Sequence, residues 1–266
     1  MWPGKVCLIT GAAGGIGRHI ALALESKGAT IVGIDRNAGG LEALIRSMGG
    51  APHLGIACDV SDLAAVRSMA ETVGGACGAI DVLINCAGIR GYGSLDQSTS
   101  EDSESVVRVN LMGPIWCTKE LAGAVDGAVR TKRTPVIVNI ASITSKVPAP
   151  FSADYCASKF GLAGFTESVW AEFAAKGIRM MAVNPGFTNT GGFPMDAVLA
   201  DPKFSWAVMA PRRVAEAVLR GIERGSSEVY VQWWLRPAYR LGVAAGPLRR
   251  FGYRKIRAMM GDIGRL

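Results

Sequence analysis

Apolar residues along this chain form short unbroken runs that alternate with stretches of helical spacing. The run "KVCLIT" (5–10) reads as a strand, "GAAGG" interrupts it, and "IGRHIALALESKG" (16–28) carries a helical period closed by Gly28. The strand "TIVGID" (30–35), a helix over 41–48, the strand "HLGIACDV" (53–60), a helix over 62–73 and the strand "IDVLINCAG" (80–88) follow. Helices are predicted around 101–126, then the strand "PVIVNIAS" (135–142), a helix over 153–175 and the strand "RMMAVNPG" (179–186). Strands that are apolar throughout must be covered on both faces, so the order predicts an α/β fold, a Rossmann-type doubly wound parallel sheet with helices on both faces. A ligand belongs beyond the carboxyl ends of such strands, where the Gly, Asn, Ser and Pro residues gather.

The 266 residues, 49% hydrophobic and 19% charged, are enough for one sizeable core, and 1–266 is read as a single domain. The chain enters an apolar run almost at once, leaving no room for a secretory leader, and no uncharged apolar run approaches the roughly 18–20 residues that span a bilayer. A cytoplasmic location is expected. The six cysteines (Cys7, Cys58, Cys77, Cys86, Cys117, Cys156) lack a C-x-x-C pair and only His19 and His53 accompany them, so neither a metal site nor a disulfide framework is expected. The net charge of +7 resides in the tail, because residues 236–266 hold eight Lys/Arg and one acid. There Leu248, Phe251, Ile256 and Met259 fall on one side of a helical projection, with Arg250, Arg254 and Arg257 on the other and Lys255 intruding on the apolar arc. With Trp233, Trp234 and Tyr239 nearby, this extension (about 233–266) fits a peripheral contact with anionic membrane and fits equally well the covering of a neighbouring subunit or the lid. Without a recognisable binding module, the basic residues do not point to nucleic acid.

In "TGAAGGIG", Gly11, Gly15 and Gly17, with Ile16 between the last two, join the first strand to the first helix. Glycine allows the tight turn and lets backbone approach a pyrophosphate at the helix N-terminus. Asp35 ends the second strand, 18 residues past Gly17, where a carboxylate accepts from ribose hydroxyls and repels a 2′-phosphate. NAD is therefore favoured over NADP, although Arg36 next door is a group that could pair with that phosphate. Farther on, Tyr155 and Lys159 stand one helical turn apart, so phenol and ammonium share a face.

Taken in order, "TGAAGGIG", Asp59 in "CDV", "NCAG" (85–88), Asn110 in "VNLMG", Ser142 in "NIAS", "YCASK" (155–159) and "NPGFTNT" (184–190) resemble the short-chain dehydrogenase/reductase family from about residue 5 to 190, with Ser142 13 residues before Tyr155. The resemblance implies an NAD(H)-dependent oxidoreductase that moves hydride between nicotinamide and a secondary alcohol or ketone. In it Tyr155 is the general acid/base, and Lys159 supplies the fixed positive charge that favours phenolate and holds the nicotinamide ribose. Ser142 orients the reacting oxygen, and Asn110 anchors a water that links Lys159 to solvent. Asp59 and Val60 would flank the adenine, and Asn85, Ala87 and Gly88 the adenosine ribose. Pro185, Gly186, Thr188 and Thr190 would hold the nicotinamide end, with Thr188 where the family often has Val. The resemblance also implies a homodimer or homotetramer.

Beyond Thr190 the resemblance fades into a substrate lid (about 190–212) holding Phe193, Met195, Val198, Leu199, Phe204, Trp206, Val208 and Met209. These side chains fit both a lipophilic substrate, such as a steroid, retinoid or long-chain acyl compound, and the ordinary packing of a lid helix. A non-catalytic NAD-binding regulatory or scaffold protein is the competing function. The filled Asn110, Ser142, Tyr155 and Lys159 positions favour an enzyme.

Overall fold

A computed structural model of the chain describes residues 2–50, 52–91, 94–190 and 205–232. The first half runs β1 (Val6–Thr10), α1 (Gly15–Glu25), β2 (Thr30–Asp35), α2 (Ala38–Arg46), β3 (Leu54–Ala57), α3 (Leu63–Cys77) and β4 (Val82–Asn85). Next come α4 (Ser100–Val107), a π-type turn (Arg108–Met112), α5 (Gly113–Glu120), α6 (Ala122–Arg130), β5 (Val136–Ile140) and a 3-10 turn (Ile143–Ser145). The described part closes with α7 (Ala153–Ala175), β6 (Arg179–Asn184), α8 (Pro211–Arg224) and β7 (Glu228–Tyr230). All seven strands are parallel in the order β3-β2-β1-β4-β5-β6-β7. The order reverses between β1 and β4, and a crevice opens beyond their carboxyl ends.

Alternation along each strand divides the core. Cys7, Ile9, Ile31, Ile84, Val138 and Val183 face α1, α2 and α8, whereas Leu8, Val32, Ile34, Leu83, Ile137 and Met180 face α3, α5 and α6. Both sheet faces are thus apolar, as the unbroken hydrophobic runs require.

The predicted strands contain β1 to β6, and the helix over 153–175 has the predicted bounds. Four differences have local causes. Helix α2 starts at Ala38 because the Asn37 side chain accepts from Gly40 N at 3.0 Å, a cap that Gly39 and Gly40 obscure in the pattern. Helix α3 continues to Cys77 through Gly74 and Gly75, and ends where Gly78 takes φ +64°. The segment around 101–126 is broken: Pro114 has no N–H for the Asn110 carbonyl, and Gly113 N bonds Arg108 O instead, widening the turn at Asn110. Helix α8 and strand β7 add a layer that the pattern reading did not assign. Lid residues Phe193, Met195, Val198, Leu199 and Phe204, and the whole 233–266 extension with its interfacial-helix reading, lie outside the described residues. No helix among the described residues is long and apolar enough to cross a membrane.

At the opposite, amino ends of the strands, Asp81 is 3% exposed and binds Lys5 Nζ at 2.9 Å, Arg133 Nη1 at 2.7 Å and Val6 N at 2.9 Å. One carboxylate thereby ties the starts of β1, β4 and β5. Removing it strands two cations and a backbone N–H, so Asp81→Ala is expected to destabilise the fold by about 2–4 kcal/mol. Urea unfolding checks this; a loss under about 0.5 kcal/mol would show that the clasp contributes nothing net.

Candidate active site

The turn after β1 is shaped by close contacts rather than by glycine flexibility alone. Gly11 has φ +69°, and a Cβ there would lie 2.8 Å from the Ala87 Cα beyond β4. On Gly17 a Cβ would run into the Gly11 carbonyl oxygen, so α1 packs directly on the turn. A methyl on Gly15 would touch the Thr190 side chain at 3.3 Å, which places the end of the β6 loop against the turn. Asp35 holds this geometry: its Oδ2 accepts from Ala13 N and its Oδ1 from Asn37 N, both at 2.9 Å. Unlike α2, α3 and α4, helix α1 has no side-chain cap, and its first turn contains no acid. Its N-terminal N–H groups, including those of Gly15, Ile16 and Gly17, form a positive helix end suited to an anion.

Beside the turn lies a cavity of about 140 Å³ lined by Gly11, Asp35, Arg36, Asp59, Val60, Ala87 and Gly88, among others. Burial disfavours the Asp59 charge, but hydrogen bonds from the Ser61 hydroxyl and amide and the nearby Arg36 guanidinium outweigh it, holding the carboxyl below its usual range. Arg36 is therefore within the field of Asp59. Asn85 is placed elsewhere: its buried amide donates to Asn139 Oδ1 at 2.8 Å and to Thr118 Oγ1 at 3.3 Å, inside the core.

The Tyr155 and Lys159 pair meets the carboxyl ends of β4 and β5. Lys159 is 5% exposed, and its Nζ donates to Ile140 O at 2.9 Å and stands 5.6 Å from the Tyr155 ring centre. An ammonium has three donors, and Ile140 uses one. Asn110, fully buried in the π-type turn, clamps Ile89 from both sides, with Nδ2 donating to Ile89 O at 2.8 Å and Oδ1 accepting from Ile89 N at 2.9 Å. Its remaining N–H reaches Ser158 Oγ at 3.2 Å, so only a lone pair on Oδ1 is left for a water. A Cβ on Gly88 would lie 3.2 Å from Asn110 Oδ1 and 3.7 Å from Lys159 Nζ, so all three groups crowd one point. Ser142 follows β5, and its Oγ accepts from Thr144 N at 3.1 Å.

At the β6 end, the Pro185 carbonyl accepts from Ile143 N at 2.9 Å, joining the Ser142 turn to the next loop. The Thr188 hydroxyl donates to Gly186 O at 3.1 Å, and Asn189 N donates to Met209 O at 2.9 Å, which ties this loop to the end of the lid. Gly186 is explained by packing: the Gln232 amide occupies the space a Cβ would need. In the segment before α8, Trp206 is 66% exposed and Met209 is buried, and the cleft they border also contains Arg212, Arg213 and Glu216.

Three contributors were not singled out in the sequence. Thr10 Oγ1 accepts from Cys86 N at 3.0 Å and Ala87 N at 3.1 Å, fixing the ends of β1 and β4 together. Gln232 Nε2 donates to Ala207 O at 2.8 Å and so anchors the segment before α8. The Arg90 guanidinium lies 4.8 Å from the centre of the Tyr155 ring. Its sequence signal is a charge just past a strand end, which ordinary loops share. Burial pushes the neighbouring Cys86 thiol up to about 12 despite Lys159 and also raises Cys156, which disfavours the thiolate at both.

The sequence model of the short chain dehydrogenases matches residues 5–196. D-threitol dehydrogenase of Mycolicibacterium smegmatis is 39% identical over 184 residues, 68% of this chain and 69% of its own. A 3-oxoacyl-[acyl-carrier-protein] reductase of Vibrio harveyi is 34% identical over 187 residues, 70% of this chain and 75% of its own. Among solved structures, a short-chain dehydrogenase/reductase from Burkholderia phymatum in complex with NAD superposes with TM-score 0.83 at 26% identity, covering 93% of this chain and 96% of that one. A metagenomic short-chain oxidoreductase in complex with NADP gives TM-score 0.71 at 30% identity, covering 86% and 96%.

Replacing Asn110 by Leu removes both partners of Ile89 and leaves its N–H and carbonyl unpaired next to Lys159. A loss of about 2–3 kcal/mol in unfolding free energy is expected. Chemical denaturation measures it, and an unchanged midpoint would mean that Ile89 finds other partners.

Proposed function

Since this chain belongs to the short-chain dehydrogenase/reductase family, we propose that it is an NAD(H)-dependent oxidoreductase working on a secondary alcohol or ketone with Tyr155 as acid/base. The observation that carries the reading is the buried Lys159 ammonium, which gives one hydrogen bond to Ile140 O and has further donors beside Tyr155. Ribose hydroxyls are acceptors suited to those donors, so the residues fit the nucleotide at this end. At the other end, the uncapped α1 N-terminus suits a pyrophosphate, and the cavity between Asp35, Asp59 and Val60 suits an adenosine. When bound, the nicotinamide supplies or accepts the hydride.

The protein's own groups manage the proton and the orientation. The Tyr155 hydroxyl gives a proton to the substrate oxygen, or takes one from it, with Lys159 providing the positive charge that stabilises phenolate. Ser142 Oγ holds the same oxygen, its rotation limited by the Thr144 N–H. The Oδ1 lone pair of Asn110 anchors a water leading away from Lys159. Pro185, Gly186, Thr188 and Thr190 border the nicotinamide end, with Ala87 and Gly88 on the ribose side. For Asn85, whose amide is engaged in the core, the proposed contribution is to hold β4 in place.

NAD is favoured because the Asp35 carboxylate, both oxygens of which are fixed by backbone N–H groups, would repel a 2′-phosphate, and Arg36 is within the field of Asp59. For the substrate we favour an apolar body, supported by Val208 and Met209 and by the 3-oxoacyl reductase among the relatives. The threitol dehydrogenase shows that a similar chain serves a polyol. Phe160 and Trp170, 42% and 49% exposed on α7, support pairing with a second copy.

Matched titrations with NADH and NADPH test the cofactor assignment. NADH is expected to bind at least tenfold more tightly, and Asp35→Ser to reduce that preference to near unity. Tighter NADPH binding by the wild type would contradict it. Turnover against a panel of lipophilic and polyhydroxy secondary alcohols tests the reaction itself; NADH binding with no hydride transfer across the panel would favour a regulatory protein.

A further inference from the structure

We propose that Ser158 is a positioning residue that fixes the Asn110 side chain beside Lys159; this deepens the proposed function and rests on it. Ser158 stands one residue before Lys159 on α7 and is fully buried, as is Asn110. Its Oγ donates to Tyr155 O at 2.8 Å, three residues back, and accepts from Asn110 Nδ2 at 3.2 Å, across 48 positions of sequence. The first bond is the ordinary habit of a serine inside a helix. The second is not local and needs α7 to lie close against the π-type turn. Gly161 marks that approach, since a Cβ there would lie 2.9 Å from the Leu111 side chain.

The hydrogen bonds of Asn110 leave its amide one arrangement. A primary amide offers two N–H groups and two lone pairs on its oxygen. Ile89 O and Ser158 Oγ take the N–H groups, and Ile89 N takes one lone pair. The other lone pair is on the oxygen that a Cβ on Gly88 would approach to 3.2 Å, with Lys159 Nζ 3.7 Å from the same point. Because the Ser158 hydroxyl commits its own proton to Tyr155 O, it can only accept from Asn110, so an amide N–H must face it. Without that acceptor a buried N–H loses its partner, and the amide shifts to recover one. The clamp on Ile89 then loosens, and Oδ1 leaves its place beside Lys159. Ser158 thereby couples the helix that carries Tyr155 and Lys159 to the turn that carries Asn110.

Ser158→Ala removes the acceptor and leaves a strong helix former in its place. Residue-resolved amide exchange of the protein alone, for the wild type, Ser158→Ala and Ser158→Thr, reads the clamp without any turnover. Exchange of the Ile89 N–H is expected to rise about tenfold or more in Ser158→Ala, with the α7 amides 163–173 within about threefold of wild type, and to recover in part in Ser158→Thr, which keeps the hydroxyl. Single-turnover hydride transfer to NAD from the most reactive secondary alcohol of the panel reads the consequence. Transfer is expected to slow about tenfold or more in Ser158→Ala with KM within about threefold. Unchanged Ile89 exchange, unchanged transfer, or exchange that rises equally along all of α7 overturns the proposal alone, the last because it marks a role in helix stability only. Absence of transfer by the wild type with every alcohol overturns it together with the function on which it rests.

Discussion

A lysine ammonium buried to 5% exposure, with a backbone carbonyl as its hydrogen-bond partner, is a costly arrangement for any fold, because desolvated charge must be compensated. Lys159 keeps its place because the surroundings determine it: α7 carries it to the carboxyl end of β5, Ile140 O accepts from it, and the Asn110 clamp on Ile89 closes the adjacent space. Tyr155 one turn earlier shares the face, so a single helix sets the relation between phenol and ammonium. In the proposed mechanism that relation lets the ammonium favour the charged form of the phenol.

A second constraint positions the other end of the cleft. Because Gly11 approaches Ala87 and Gly17 approaches Gly11, the β1–α1 turn sits tightly over the point where strand order reverses, and Asp35 binds that turn through Ala13 N. Larger side chains at either glycine would separate α1 from the sheet and move its N-terminus away from the cleft. Thr10 links the same point to Cys86 and Ala87 on the far side. The cavity beside the β1–α1 turn and the Tyr155 and Lys159 face are thus two parts of one rim, joined through Gly88.

Strands and α7 were legible in the sequence because buried parallel strands are apolar without interruption and because α7 is long. The turn at Asn110 was less so. Its cause, a proline four residues after the asparagine, is visible in the chain, yet the resulting shift to Gly113 N bonding Arg108 O appears only in three dimensions. Order and spacing marked Gly11, Gly17, Asp35, Ser142, Tyr155 and Lys159 as candidates, and the fold brings them to one rim. Asn85 carried the same kind of signal but turns its amide to Asn139 and Thr118, since a strand residue has two faces and spacing along a motif does not say which one it uses. Arg90, Gln232 and Thr10 act through partners distant in sequence, which no local pattern encodes.

In the proposed mechanism Tyr155 moves the proton while the rest of the rim binds. Replacing it with Phe deletes one hydroxyl and leaves Lys159, Ser142 and the glycine turn in place, so the decisive measurement is NADH affinity together with single-turnover hydride transfer in Tyr155→Phe. Affinity within about threefold of wild type and transfer slowed at least 100-fold are expected, the scale of a lost general acid/base. Transfer at the wild-type rate would contradict it.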